Sequence, residues 1–195
     1  MIKAIIFDCF GVIYPDTLAL VERPYLTAND DRRQEIRDLR LQCDMGLIDR
    51  DAFWNSAAKI LSISRVQLDR ELDKIGGADW ELLEYIKSHK HAYKTAIVSN
   101  VGRGFLERIF DNRRPEVDYF DVVIASGDIG VMKPDPRIYK IVADRLNVKP
   151  HEAVFIDDKQ VHCEGAKHVG MQAILYRDFH QFKRELDKIL ADSDH

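Results

Sequence analysis

An α/β fold built on a parallel sheet follows from three features of this sequence. From Asp79 onward, short β-branched apolar runs alternate with amphipathic stretches of helical period. That alternation is the signature of right-handed βαβ units and of a sheet covered on both faces. At the N-terminus, Ile2–Phe7 is an apolar, β-branched run of the kind a buried parallel strand requires, and it stops at Asp8. Between these regions, from about Thr17 to Ile75, the pattern is helical with no convincing strand. The expected organisation is a three-layer core from residues 1–14 and 77–195, with a small helical domain inserted at 15–76.

In chain order, Tyr14-Pro15-Asp16 breaks regular structure after the first strand. Helices are expected at Asp31–Asp44, Asp51–Leu61 and Ser64–Lys74, with Phe53, Trp54, Ala57, Ala58 and Leu61 on the apolar side of the second. Gly46 reads as a C-cap glycine linking the first two, and Gly76-Gly77 punctuates the return to the core. A helix at Asp79–His91 carries Trp80, Leu83, Tyr85 and Ile86. It is followed by a strand at Thr95–Asn100, a helix at Gly104–Phe110 and a strand at Tyr119–Ser126. The chain then alternates through a helix at Asp135–Leu146, a strand at Ala153–Asp158, a helix at Cys163–Val169, a strand at Gln172–Tyr176 and a last helix at Asp178–Leu190.

Composition narrows the function classes. The 195 residues are 46% hydrophobic and 32% charged, with a net charge of -4. This is the profile of a soluble globular chain, without the broad positive surface that would attract nucleic acid or an anionic membrane. The basic clusters Arg32-Arg33 and Arg113-Arg114 are short and read as solvated helix ends. No run approaches the roughly 18 apolar residues of a membrane span, and the N-terminal run is too short for a signal peptide. Cys9, Cys43 and Cys163 are too widely spaced for a zinc motif and odd in number, so a reducing cytoplasm is the expected compartment. Cys9 reads as an inert residue packed under the strand end.

Three apolar strands end in polar groups: Asp8, then Ser99-Asn100, then Asp157-Asp158. Parallel strands place these ends on one edge, where open α/β sheets carry their chemistry. Lys133 stands in Gly130-Val-Met-Lys-Pro-Asp-Pro136, just before a proline-defined helix start. Three clustered carboxylates repel one another, and a hard cation such as Mg²⁺ relieves that conflict. Lys133 suits an ionised Asp8 and a phosphate, and Ser99 and Asn100 suit the remaining phosphate oxygens. Asp8 is then available as a carboxylate nucleophile.

This ordered set resembles the haloacid dehalogenase superfamily. Phe7–Ile13 looks like its first motif, Ile97–Asn100 its second, Gly130–Pro136 its third and Phe155–Asp158 its fourth. The resemblance implies a Rossmann-like core with a helical C1 cap at 15–76. It implies Asp8 as nucleophile and Mg²⁺ ligand, the Phe10 carbonyl oxygen and Asp158 as further ligands, and Asp157 acting through a bound water. Ser99 and Asn100 would contact the transferring phosphate, and Lys133 would bridge it to Asp8. One position departs from the phosphatase pattern: Phe10 stands where a second aspartate serves as general acid and base.

Three functions remain open on these residues. The first is a Mg²⁺-dependent phosphatase of a small phosphorylated metabolite with a good leaving group: a sugar 1-phosphate, an acyl phosphate or an aryl phosphate. Tyr14, Asp16 and His162 are candidate replacement proton sources, although His162 reads more simply as a solvated helix-start residue. The second is a 2-haloacid dehalogenase, which shares an aromatic residue at position 10 but lacks the paired acids of the fourth motif. The third is a binding or regulatory module that has lost catalysis. In the cap, Phe53 and Trp54 read as core, and Arg37 and Arg40 as a solvated face. The oligomeric state is left open.

Overall fold

The computed structural model describes residues 1–109 and 118–193. The expected basic cluster at Arg113-Arg114 and the end of the Gly104–Phe110 helix lie outside the described residues. Five strands form one parallel sheet: β1 (Ala4–Phe7), β2 (Lys94–Ser99), β3 (Val122–Ala125), β4 (Ala153–Asp157) and β5 (Gln172–Leu175). Their order is β3-β2-β1-β4-β5. The chain enters at the centre, builds outward to β3, then crosses back to add β4 and β5. The reversal falls between β1 and β4, the crevice at which such sheets bind ligands.

Strand side chains alternate between faces, so each face acquires its own core. Ile5, Phe7, Ile97 and Ile156 pack with Leu82, Leu83 and Ile86 of α5 (Trp80–His89) and with Phe182 and Leu186 of α10 (Phe179–Ser193). Ala4, Ile6, Val98 and Phe155 pack with Ile138 and Val142 of α8 (Pro136–Leu146) and Ala166 of α9 (Gln160–His168). These are the two outer layers of the α/β sandwich expected from the sequence.

Four helices separate β1 from α5: α1 (Thr17–Glu22), α2 (Arg32–Asp44), α3 (Arg50–Ile60) and α4 (Arg65–Asp73). They enclose an apolar cluster of their own, in which Leu18, Ile36, Phe53, Trp54, Ala57, Leu61 and Leu68 are buried. Their starts are fixed by side chains that accept the N–H three residues on: Asp16 from Ala19, Asp49 from Ala52 and Ser64 from Gln67. Such caps satisfy a donor that the helix itself cannot. Asp79 N donates to Ile13 O at 2.8 Å, joining the point where the chain leaves the sheet to the point where it returns. Gly46 closes α2 with φ +73°, and a Cβ there would lie 2.5 Å from Gly127 O. The helical segment thus meets the sheet domain at backbone-to-backbone distance.

The structure shifts several expected boundaries. Asp49, not Asp51, caps α3. Ser126 ends β3 instead of extending it, because its hydroxyl donates to Asp44 O at 2.6 Å and accepts from Val101 N at 3.0 Å. The chain turns there into α7 (Ser126–Ile129), and a short α6 (Phe105–Ile109) follows β2. Trp80 is 57% exposed at the first turn of α5. Among the described residues no helix is long and apolar enough to cross a membrane.

Candidate active site

The sheet edge is assembled by register. Phe7 is level with Ile97 on one side and Ile156 on the other. Asp8 N donates to Ile156 O at 2.8 Å, so Asp8 and Asp157 leave neighbouring strands side by side. Lys133 reaches both carboxylates, with Nζ 2.9 Å from Asp8 Oδ1 and 2.6 Å from Asp157 Oδ2. It is completely buried, and its ammonium also lies over the Phe155 ring.

A buried lysine survives as a cation only when paired. Burial disfavours its charge, yet Asp8 and Asp157 outweigh burial and hold its pKa above the ordinary value. Asn100 fixes the approach of the lysine backbone: its amide donates to Lys133 O and accepts from Lys133 N, both at 2.8 Å. Asn100 therefore holds the lysine loop in place. Ser99 lies buried at the end of β2 beside it.

Asp8 is pushed up by burial and by Asp157, against the pull of Lys133 and the Cys9 N–H. The hydrogen bonds it accepts from Lys133 and Cys9 N, the latter at 2.7 Å, both fall on Oδ1. Asp157 differs. Burial raises it, but Lys133 and His162 overcome burial and hold it well below the usual carboxylate range. Its Oδ1 accepts from Lys159 N at 2.9 Å, and His162 Nδ1 lies 3.0 Å from both oxygens. With both oxygens engaged by protein, Asp157 is an anchor for Lys133 and His162.

His162 is the clearest correction at the site. It is buried against Asp157, not solvated. The cause is the start of α9 at Gln160, three residues before the expected Cys163, which turns position 162 toward the end of β4. Cys9 is fully buried and its thiol is raised by desolvation, as expected of an inert packing residue. Asp16 caps α1 and pairs with Arg40, and the Tyr14 ring leans on Phe10 at 6.3 Å.

Asp158 shows what the protein alone leaves unmet. Its Oδ1 is buried with no hydrogen-bond partner among the described residues. Burial first, then Asp8, raise its pKa to about 6. Gly11 (φ +97°) makes room for it: a Cβ there would lie 2.4 Å from Asp158 Oδ2. A buried carboxylate oxygen without a donor, repelled by a second carboxylate, fits a hard divalent cation with oxygen ligands. One oxygen or nitrogen from each of Asp8, Asp157 and His162 also falls within 4.8 Å of the others. Lys133, Lys159 N and His162 already engage both oxygens of Asp157, so the donors better suited to a cation are Asp8, Asp158 and the carbonyl of Phe10.

The Phe10 ring packs on Phe105 at 5.6 Å. Together with Phe53 and Trp54 it borders a cavity between the helical segment and the sheet edge. Arg40, expected on a solvated face, lines this cavity instead. It lies 3.6 Å from Asp16 and 3.5 Å from Asp44. Arg37 is exposed and paired with Gln34.

Known proteins are similar to this chain. By sequence the chain is 37% identical over 106 residues to bifunctional epoxide hydrolase 2 of Sus scrofa, covering 51% of this chain and 19% of that protein. It is 38% identical over 95 residues to a phosphorylated carbohydrates phosphatase of Thermotoga maritima, covering 48% and 42%. It is 28% identical over 185 residues to the (S)-2-haloacid dehalogenase of Xanthobacter autotrophicus, covering 87% and 73%. The first two matches thus span less than half of those relatives' own length. Among solved structures, a family enzyme from Bacteroides thetaiotaomicron in complex with magnesium and inorganic phosphate superposes with a TM-score of 0.72 at 21% identity, over 91% of this chain and 95% of that one. The family model for haloacid dehalogenase-like hydrolases matches residues 2–170. With that match extending from the first strand to the glycine after α9, this chain belongs to the haloacid dehalogenase-like hydrolase family.

Proposed function

We propose that the chain is a Mg²⁺-dependent phosphatase of a small phosphorylated metabolite, working through an aspartyl-phosphate on Asp8. The observation that carries this reading is the Lys133 ammonium held between Asp8 and Asp157, beside the partnerless oxygen of Asp158. In this reading Asp8, the Phe10 carbonyl and Asp158 hold the cation. When bound, Mg²⁺ neutralises charge on the transferring phosphoryl group. Lys133 supplies a second, preorganised positive charge in a site closed to water. Asn100 keeps that lysine in place, and Ser99 and Asn100 border the phosphate. Residues 15–76 act as a cap that shields the reaction and selects the substrate.

In the first step an Asp8 carboxylate oxygen attacks phosphorus, and the bond to the leaving oxygen breaks with its electron pair. Water then attacks phosphorus, the bond to Asp8 breaks, and the water's proton ends on the released phosphate. Phe10 cannot protonate the leaving group, which favours substrates whose leaving group departs unaided. The Thermotoga relative's name and the magnesium and phosphate in the Bacteroides enzyme are in keeping with this reading.

Phe10 also favours a second reading, dehalogenation, because a halide needs no proton and a haloacid dehalogenase is among the relatives. The lone Asp158 oxygen weighs against it, since metal-free chemistry leaves that group uncompensated. Hydrolysis of p-nitrophenyl phosphate decides between them. The phosphatase reading expects turnover that requires Mg²⁺ and falls by about 10³-fold or more in Asp8→Asn. Metal-independent halide release from a 2-haloacid, with no phosphatase activity, replaces it with the second reading. If neither activity appears while Mg²⁺ and phosphate raise the melting temperature, the chain is a binding module.

A further inference from the structure

The cavity beside Phe10 has a volume of about 420 Å³, its mouth included. Asn100 lines it, so it adjoins the phosphate end of the site, and Arg40 within it lies in electrostatic reach of Asp8. Its walls are largely aromatic and aliphatic: Phe10, Leu18, Phe53, Trp54, Val101 and Phe105. The Phe10 and Phe105 rings meet edge to face at 81°, and those of Phe53 and Trp54 at 70°, the geometry of an aromatic enclosure.

The charged corner of the cavity is self-neutralised. Arg40 stands between Asp16 and Asp44, so one cation faces two carboxylates. Burial pushes Asp44 up to about 7, against the pull of Arg40 and Lys159. Trp54 adds a signal of its own: its indole Nε1 is buried with no hydrogen-bond partner among the described residues. A buried N–H left unpaired is costly, and an acceptor carried by a bound molecule would satisfy it.

We propose that this cavity is a leaving-group subsite for a phenolic ring, making aryl phosphates the substrate class. The proposal rests on the phosphatase reading and deepens it. Two independent features converge on the same chemistry. Aromatic walls favour a flat apolar ring, which buries both its faces against them. Phe10 supplies no proton, and a phenol needs none in order to leave. Asp8 attacks phosphorus, the bond from phosphorus to the aryl oxygen breaks, its electron pair stays on the phenolate, and solvent protonates that oxygen afterwards.

Calorimetric binding of non-hydrolysable phosphonates in the presence of Mg²⁺ tests this directly. Benzylphosphonate is expected to bind about tenfold or more tighter than methylphosphonate. Phe105→Ala, at a half-buried position, is expected to narrow the benzyl-to-methyl ratio about threefold or more. Equal affinities for benzyl- and methylphosphonate overturn the subsite while leaving the phosphatase reading intact. A kcat/KM for a hexose 1-phosphate above that for phenyl phosphate also overturns it. If no phosphonate binds and no phosphate ester is hydrolysed, the phosphatase reading itself falls, and the subsite with it.

Discussion

Asp8 and Phe10 sit only two residues apart in the chain and pull the chemistry in different directions. Asp8 has its hydrogen bonds on one oxygen and is oriented by a lysine, the arrangement of a positioned nucleophile. Phe10 keeps a backbone carbonyl but offers a ring, packed on Phe105, where a proton donor would help. Phe10→Asp is therefore expected to raise kcat/KM for alkyl phosphates, toward the roughly 10²-fold that general acid catalysis contributes at its low end. It should change activity on p-nitrophenyl phosphate much less. Unchanged or lower activity on alkyl esters, with normal circular dichroism, counts against the account. Asp8 was legible in the sequence because a charged residue ends an apolar run. His162 was not legible, because its burial depends on α9 beginning at Gln160, and no capping side chain at Lys159 marks that start.

At the scale of elements, the site is a joint between β1, β4 and the loop before α8, and Lys133 is the group that closes it. Removing one partner of a buried ion pair strands the rest without compensation. Lys133→Met is expected to cost about 3–5 kcal/mol, read from the urea midpoint at neutral pH, and to abolish turnover. A variant as stable as the parent would show that Asp8 and Asp157 tolerate each other without the lysine. The strand ends and helix caps that build this joint were readable because they are local: apolar runs stop at Asp8, Ser99 and Asp157, and Ser64 and Asp79 accept from the third residue onward. The end of β3 was not readable, since it is set by Ser126 bonding Asp44 and Val101, residues far away in the chain.

At the scale of the whole molecule, function depends on how the four-helix segment meets the sheet edge. That contact created the cavity, turned Arg40 inward and buried Asp44, and none of these follows from helical periodicity. Asp44 faces Arg40, Lys159 and Asp16, and burial dominates to raise its carboxyl to about 7. Its folded pKa thus lies above the unfolded value of roughly 4. Between these values the native state holds more protons than the unfolded one, so this group's contribution to stability falls as pH rises from about 4 to about 7. Asp44→Asn should flatten that decline in melting temperature, and an identical pH profile would contradict the environment assigned to Asp44. The central claim, covalent transfer to Asp8, is tested most directly by acid-quenching a single turnover of ³²P-labelled phenyl phosphate with Mg²⁺ and mapping the label. The account predicts acid-stable, base-labile label on the peptide containing Asp8, absent in Asp8→Asn, and phosphate release with no label on that peptide, at equal rates in both proteins, would contradict it.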